Sequence, residues 1–403
     1  MSTAQLNSPI ALDISAINPN FRESHVTRGI GRYVGQLLSE LSQLEGYRDL
    51  VSTFDHCELL ANSKISALID YLPCGRVTAR QQILYPFVLN SKKFEQVKLL
   101  HFPAHMDAAA WGLKPYILTV LDLIPLILKD LYAPEVFNWR FRLARYLELR
   151  AIKGAQHIIA ISQTTADDVH RLLGVPYERI TVTPLGVDQK FFDVGQTPID
   201  LAAASALRQK LGILTQAPVL LYVGGIDQRK NIPQLLKLHA QLVSRAKERA
   251  SVTPVLVMVG SIKSDKNFPA LQALIKELKI ESDVVLAGYL TDQELALIYR
   301  ISSLFCFLSL YEGFGLPPLE AMAVGLPVLC SNRSCLPEVV GRGGMLVDPD
   351  DIDQLVLNAE RVLLDSEYAQ SLSRLGVIQA KKFTWKHTAE GTLAVYQKLL
   401  AKG

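Results

Sequence analysis

Several features that would mark a protein class are missing from this chain. No uninterrupted apolar run approaches the roughly 18 residues that a membrane-spanning helix needs. Residues 1–9 lack a basic segment followed by an apolar stretch, so they do not read as a secretory leader, and a cytoplasmic location is expected. An excess of one charge is lacking as well. The 42 basic and 39 acidic side chains leave a formal charge of +3, which gives no electrostatic reason to expect a nucleic-acid partner. Cysteine is sparse: Cys57, Cys74, Cys306, Cys330 and Cys335 are odd in number, scattered and without C-x-x-C spacing. They read as buried thiols in a reducing compartment, and a disulfide framework or zinc site is not expected. No solenoid-like repeat or low-complexity segment is present. With 49% apolar and 20% charged residues over 403 positions, the chain is foldable and, at about 150 residues per domain, calls for two or three domains.

Short apolar runs alternate with helical periodicity, the pattern of βα units on parallel sheets buried on both faces. Strands are expected in the first half at 9–15, 50–54, 97–101, 116–121, 157–161 and 180–183. Residues 183–205 lapse into Pro, Gly, Asp and small side chains and read as a linker. A second series follows at 218–224, 254–260, 284–288, 304–308, 327–330 and 344–347, with helices near 233–246, 269–278, 292–301 and 316–323. Two doubly wound α/β domains are therefore expected, 1–200 and 201–384, with a last helix in 385–403 crossing back to the first. Ligands of such sheets bind beyond the carboxyl ends of strands.

Three segments could carry chemistry. Thr27-Arg28-Gly29-Ile30-Gly31-Arg32-Tyr33 reads as a glycine loop opening an amphipathic helix, either a tight turn or a place where backbone approaches an anion. A nicotinamide-cofactor reading is weakened because Val34 stands where a third glycine belongs. After the first strand of the second series come Tyr222-Val223-Gly224-Gly225 and Asp227-Gln228-Arg229-Lys230-Asn231. Adjacent cations at a helix start can hold a diphosphate, each charge pair at about 4 Å and an effective dielectric near 20 contributing roughly 4 kcal/mol. The third is Ser309-Leu310-Tyr311-Glu312-Gly313-Phe314-Gly315-Leu316-Pro317-Pro318-Leu319-Glu320, in which a strand ends in a glycine-flanked loop and Pro317 suits a first helical turn. The loop places Glu312 and Glu320, eight residues apart, where both can face one ligand. No Asp-x-Asp pair or histidine cluster of metal-ligand character stands out, so no metal is expected.

Glu312-x7-Glu320, Gly224-Gly225 with Arg229-Lys230-Asn231, the Gly29-Ile30-Gly31-Arg32-Tyr33 loop, Ser162-x2-Thr165-x-Asp167, Pro184-Leu185-Gly186-Val187-Asp188 and Leu336-Pro337-Glu338-Val339 follow one another along the chain. In that order they resemble the retaining glycosyltransferases of family 4, and the resemblance covers nearly the whole sequence. It implies a GT-B fold, two Rossmann-like domains facing each other across a cleft, with a nucleotide diphosphate sugar as donor substrate and no separate cofactor. By the same resemblance Arg229 and Lys230 would bind the diphosphate, Glu320 the ribose hydroxyls and Glu312 a hydroxyl of the transferred sugar. Gly225, Gly313, Phe314, Gly315 and Leu316 would line the donor through backbone groups. The segment after Gly260 and Gly288-Tyr289-Leu290 would cradle the base, and Gly29 and Gly31 would approach the diphosphate from the first domain.

The acceptor implied is a glycan or a lipid-linked glycan in cell-surface polysaccharide synthesis, and the hexose suggested is mannose. One departure stands out: mannosyltransferase-like relatives read Thr-Val-His-Asp-Leu where this chain has Thr119-Val120-Leu121-Asp122-Leu123. The missing imidazole's role would pass to Asp122, His101 or His105, or be lost. Open alternatives are a nucleotide-sugar epimerase or hydrolase on the same fold, and a non-catalytic nucleotide-sugar-binding protein. The basic helix at 139–146 reads as a solvated face or as a peripheral contact with an anionic membrane.

Overall fold

The computed structural model describes residues 6–19, 29–61, 76–112, 114–132, 139–213 and 216–401. Thr27, Arg28 and Cys74 lie outside them. The chain divides into two compact units, Met1–Gly186 with Trp385–Gly403, and Val187–Thr384.

Unit 1 holds β1 (Ile10–Asp13), β2 (Val51–Phe54), β3 (Leu99–Phe102), β4 (Tyr116–Val120), β5 (His157–Ala160) and β6 (Ile180–Val182), all parallel, in the order β2-β1-β3-β4-β5-β6. β1, β3, β4 and β5 are buried at every position, as an interior parallel strand must be when both of its faces are covered. Unit 2 repeats the design with β7 (Val219–Val223), β8 (Val255–Val259), β9 (Val284–Gly288), β10 (Leu304–Phe307), β11 (Val328–Ser331) and β12 (Met345–Val347), in the order β12-β11-β10-β7-β8-β9. Each strand overlaps an apolar run of the sequence. β3 and β11 end one residue later than those runs, because a ladder is set by its neighbour's register: Phe102 follows His101 opposite β4, and Ser331 pairs Val347.

Strand order reverses between β1 and β3 in unit 1, and between β7 and β10 in unit 2. These are the two switch points, beyond whose carboxyl ends such sheets bind ligands. The β7–β10 pairing, Leu304 opposite Leu220 and Phe305 opposite Leu221, makes the loops after those two strands neighbours.

The boundary between the units falls earlier than the sequence expectation of residue 200. The helix Gln189–Gln196 belongs to unit 2, where Phe191 is buried edge-on to Tyr299 at 5.8 Å and a Cβ at Gly195 would stand 2.7 Å from the Val324 carbonyl oxygen. Proline and glycine content marks turns but does not say which core the phenylalanines enter, and here the aromatic contacts decide it. The helix Trp385–Leu400 packs in unit 1 on the helix Gly29–Leu41, with Trp385 and Tyr33 ring centroids 6.5 Å apart. Gly29 and Gly31, read in the sequence as loop residues, are already inside that helix; Gly31, Tyr33, Val34, Leu37 and Leu41 make its buried stripe.

Candidate active site

The unit 2 switch point is built from two loops. On the β7 side the chain leaves Val223 through Gly224 at φ +153, a conformation open to glycine, and a Cβ at Gly260 would stand 2.3 Å from the Gly224 carbonyl oxygen. Only glycine lets the ends of β7 and β8 approach so closely. The Asp227 carboxylate then accepts from the Arg229 amide at 3.1 Å, closing the turn Gln228–Lys230. Asn231 at φ +54 enters the helix Ile232–Glu248, where Pro233 suits the first turn. The turn therefore carries both cations at the mouth of a helix.

On the β10 side the chain passes Ser309 to Gly315, which at φ +112 precedes the helix Leu316–Val324. Glu312 joins the two loops. Its Oε2 accepts from Arg229 Nη1 and its Oε1 from Lys230 Nζ, both at 2.6 Å. The backbone ties the same loops, since Leu310 N donates to Arg229 O at 2.7 Å and Arg229 Nη1 also reaches Tyr311 O at 3.2 Å. Lys230 lies 4.9 Å from the Phe307 ring centroid, a cation over an aromatic face.

Asp227 Oδ1 also lies 3.5 Å from Arg229 Nε, so two carboxylates hold the two cations in place. Burial favours the neutral acid of Glu312, but Lys230 and Arg229 outweigh it and hold the carboxyl below its ordinary range. For Lys230 burial is the larger effect and lowers its pKa, with Glu312 working against it. Buried groups of opposite charge that shift one another's pKa at a switch point mark a candidate active site. An anionic ligand entering here would share cations already held at fixed positions.

The remaining donor-side candidates divide by what they offer. Glu320 is 3% exposed inside its helix and accepts from the Tyr299 hydroxyl at 3.0 Å. Phe314 is buried against Phe383, with ring centroids 5.8 Å apart, so only its backbone could meet a ligand. Gly225 O accepts from Tyr222 OH at 2.5 Å. Gly313 and Gly315 are buried in the loop, and Leu316 is half-buried at the helix start. Tyr222 enters the sequence reading only in the run before Gly224-Gly225 and Cys335 only as a buried thiol, and Tyr299 and Ser334 are not singled out there. Ser334 Oγ accepts from the Glu312 amide at 3.0 Å, and Cys335 Sγ reaches Phe314 O at 2.8 Å. Their position directly before Leu336-Pro337-Glu338-Val339 was the available signal.

In unit 1 the residues considered for the missing imidazole lie apart in role. Asp122 accepts from the Ile124 amide at 3.1 Å, so it caps a turn. His101 is fully buried between Thr119 and Tyr396, and burial pushes its pKa down to about 3, so it stays neutral. His105 is buried against Glu148, with Nε2 at 3.1 Å from Oε1. Leu121 is buried too.

Folding also assembles a group that the sequence does not show as a cluster. Asp13, His56 and Asp107 come together at the carboxyl ends of β1, β2 and β3, with possible ligand atoms within 4.8 Å of one another. His56 Nδ1 stands 2.6 Å from Asp13 Oδ2 and 2.8 Å from Ser15 Oγ. Geometrically the three could take a cation, and as arranged they make a carboxylate–imidazole hydrogen bond.

Comparison with known proteins fits this architecture. Residues 27–191 match the family described as Glycosyltransferase Family 4, and residues 204–376 that described as Glycosyl transferases group 1. The chain is 31% identical over 258 residues to the O-antigen chain mannosyltransferase B of Escherichia coli, covering 63% of this chain and 65% of that one. It is 34% identical over 278 residues to the MMP alpha-(1->4)-mannosyltransferase of Mycolicibacterium hassiacum, covering 66% and 61%. The chain thus spans less than two thirds of the length of these relatives. In structure it resembles a sucrose-phosphate synthase of Thermosynechococcus elongatus at TM-score 0.69 and 19% identity, over 98% of this chain and 100% of that one. It also resembles Anabaena HepE, solved with UDP and glucose, at TM-score 0.68 and 17% identity over 96% and 99%. With both halves matched and the two-sheet fold shared, the chain belongs to the family 4, group 1 glycosyltransferases of GT-B fold.

Proposed function

We propose that the protein is a retaining glycosyltransferase that moves a hexose from a nucleoside diphosphate sugar to a glycan or lipid-linked acceptor in cell-surface polysaccharide synthesis. The observation that carries this reading is Glu312 clamped by Arg229 and Lys230 at the β7–β10 switch point. Relatives named as mannosyltransferases favour mannose, and a fold neighbour solved with UDP and glucose favours a nucleoside diphosphate as the ligand class.

In the reaction the bond between the anomeric carbon and the diphosphate oxygen breaks, and a bond from that carbon to the acceptor oxygen forms. Charge grows on the leaving diphosphate, which Arg229 and Lys230 stabilise from fixed positions, so little reorganisation is needed. The acceptor's proton passes to the departing phosphate oxygen on the same face, which retains configuration and asks for no metal. Glu312 has two tasks in this scheme, orienting the cations and accepting from a sugar hydroxyl, while Glu320 takes the ribose hydroxyls. Gly29 and Gly31, expected to approach the diphosphate, and Asp122, a candidate for the missing imidazole's role, are residues of unit 1.

Where the enzyme meets its acceptor, the helix Trp139–Gly154 is the face of interest. It exposes Trp139, Arg140, Arg142, Tyr146 and Arg150, aromatic and cationic side chains suited to the headgroup region of an anionic bilayer. A peripheral position at the inner face of a membrane follows from that reading. No helix among the described residues is long and apolar enough to cross a membrane.

A panel of GDP-, UDP-, ADP-, dTDP- and CMP-sugars, with NAD as control, tests the donor site by thermal unfolding. A ligand at 100 times its dissociation constant adds about 2.7 kcal/mol, enough to raise the melting midpoint by several degrees. One nucleotide class should do so, and Arg229→Ala and Glu320→Ala should abolish the shift. A shift with NAD alone would overturn the reading. Leu121 in place of the imidazole favours one other reading, a binding protein without turnover, which predicts the same shift and no transfer to any acceptor.

A further inference from the structure

Glu312 is held from behind its backbone as well as at its carboxylate. Its amide donates to Ser334 Oγ at 3.0 Å, and Cys335 Sγ lies 2.8 Å from Phe314 O and 3.2 Å from Glu312 O. The thiol has one hydrogen, so it serves one carbonyl at a time, with Phe314 O the nearer. Cys335 is fully buried, and burial, then the charge of Glu312, keep its pKa well above the ordinary range. It therefore remains a protonated donor. Leu336 completes the cradle: its Cδ2 would stand 2.9 Å from a Cβ at Gly315.

Ser334 itself sits at φ +52, in the left-handed region. Glycine would adopt that conformation at less cost. A serine there keeps the strain together with a hydroxyl, and the hydroxyl is spent on the amide of Glu312. The turn before the helix Leu336–Val340 thus combines strained backbone with two side-chain contacts to the loop that carries the clamp.

We propose that Ser334 and Cys335 are positioning residues for Glu312, locking the 312–314 backbone so that its carboxylate meets Arg229 and Lys230 in the reactive arrangement. The inference rests on the role given to Glu312 above and extends it to two residues that contact the backbone of its loop.

Three variants test it, Ser334→Gly, Cys335→Ala and Cys335→Ser, assayed for GDP release from GDP-mannose with an α-mannoside acceptor and for the thermal midpoint. Ser334→Gly should melt at or above the parent temperature yet lose about tenfold or more in kcat, with KM for GDP-mannose changing by less than about threefold. Stability and activity would then move in opposite directions, which a turn with only a structural task does not produce. Cys335→Ala should lose a similar factor, and Cys335→Ser should recover most of it, because a hydroxyl donates to the same carbonyls. A kcat unchanged from the parent in both Ser334→Gly and Cys335→Ala would overturn the proposal.

Amide exchange of the ligand-free protein supplies a readout independent of turnover. Exchange at the Glu312 amide should quicken by about tenfold in Ser334→Gly, and in the 310–316 segment for Cys335→Ala. Unchanged exchange in both variants would overturn the positioning role. If the parent protein turns over no sugar nucleotide while the exchange effect appears, the reading of the activity fails and the positioning of Glu312 stands.

Discussion

Both carboxylate oxygens of Glu312 are committed, one to Lys230 and one to Arg229. The two cations are thereby kept at fixed separation, as a clamp for an anion requires, but part of their charge is spent. Glu312→Gln keeps the shape and removes the negative charge. Binding of GDP or UDP should stay equal or tighten by up to about tenfold, since removing a competing anion is worth about 1.4 kcal/mol at most on this view. Transfer should fall by about 100-fold or more, because the amide no longer orients the cations through charge-assisted hydrogen bonds. Titration calorimetry with the nucleotide beside a transfer assay separates the two; weaker nucleotide binding with intact transfer would contradict this account of the clamp.

At the scale of elements, four buried side chains from four segments form one hydrogen-bonded row in unit 1. Tyr33 of the helix Gly29–Leu41 meets Thr119 of β4 at 2.9 Å; Thr119 meets His101 of β3 at 2.9 Å; His101 meets Tyr396 of the helix Trp385–Leu400 at 2.5 Å. Thr119 has one hydrogen and neutral His101 has one N–H, so the donors must all point the same way along the row. Such a chain is cooperative. Tyr33→Phe and Tyr396→Phe should each cost about 1–2 kcal/mol in urea unfolding, and the double variant should depart from additivity by about 0.5 kcal/mol or more. Strict additivity would mean that the two hydroxyls act separately. The row also explains why His101, a histidine at a strand end, does not serve as the missing imidazole: both ring nitrogens are used in holding elements together.

For the whole molecule, pH dependence follows from the buried group at the other switch point. Burial opposes a charged His56, but the charge and hydrogen bond of Asp13, with smaller help from Cys57 and Asp107, outweigh it and lift its pKa to about 10 from an ordinary 6.5. A raised folded-state pKa means that the folded protein holds the proton more tightly than the unfolded chain. The stabilisation is complete below about pH 6.5 and is lost as pH rises through about 10. Denaturant unfolding measured from pH 7 to 10 should show stability falling, and His56→Gln should flatten that slope. A parent curve without the fall would show that the pair is not charged as drawn. Glu312, whose folded-state pKa is lowered, acts at the opposite end: its contribution is present above the ordinary carboxyl range and is lost toward acid.

Local chemistry was enough to read the strand-forming runs, the turn of Arg229 and Lys230 before a proline-started helix, and the glycine-flanked Glu312. Aliphatic runs must be buried, and glycine and proline constrain the backbone wherever they stand, so those features are legible one segment at a time. What the tertiary structure alone decided depends on which strands pair. β10 lies beside β7, and this brings Glu312 to cations 83 and 82 residues earlier in the chain. The same holds for Asp13 with His56, for His101 with Tyr396, for the entry of Gln189–Gln196 into unit 2, and for Ser334 and Cys335 behind Glu312. Hydrogen bonds and ion pairs act only over a few ångströms, and the order of strands in a sheet, which no periodicity of the sequence encodes, determines which distant residues come within that reach.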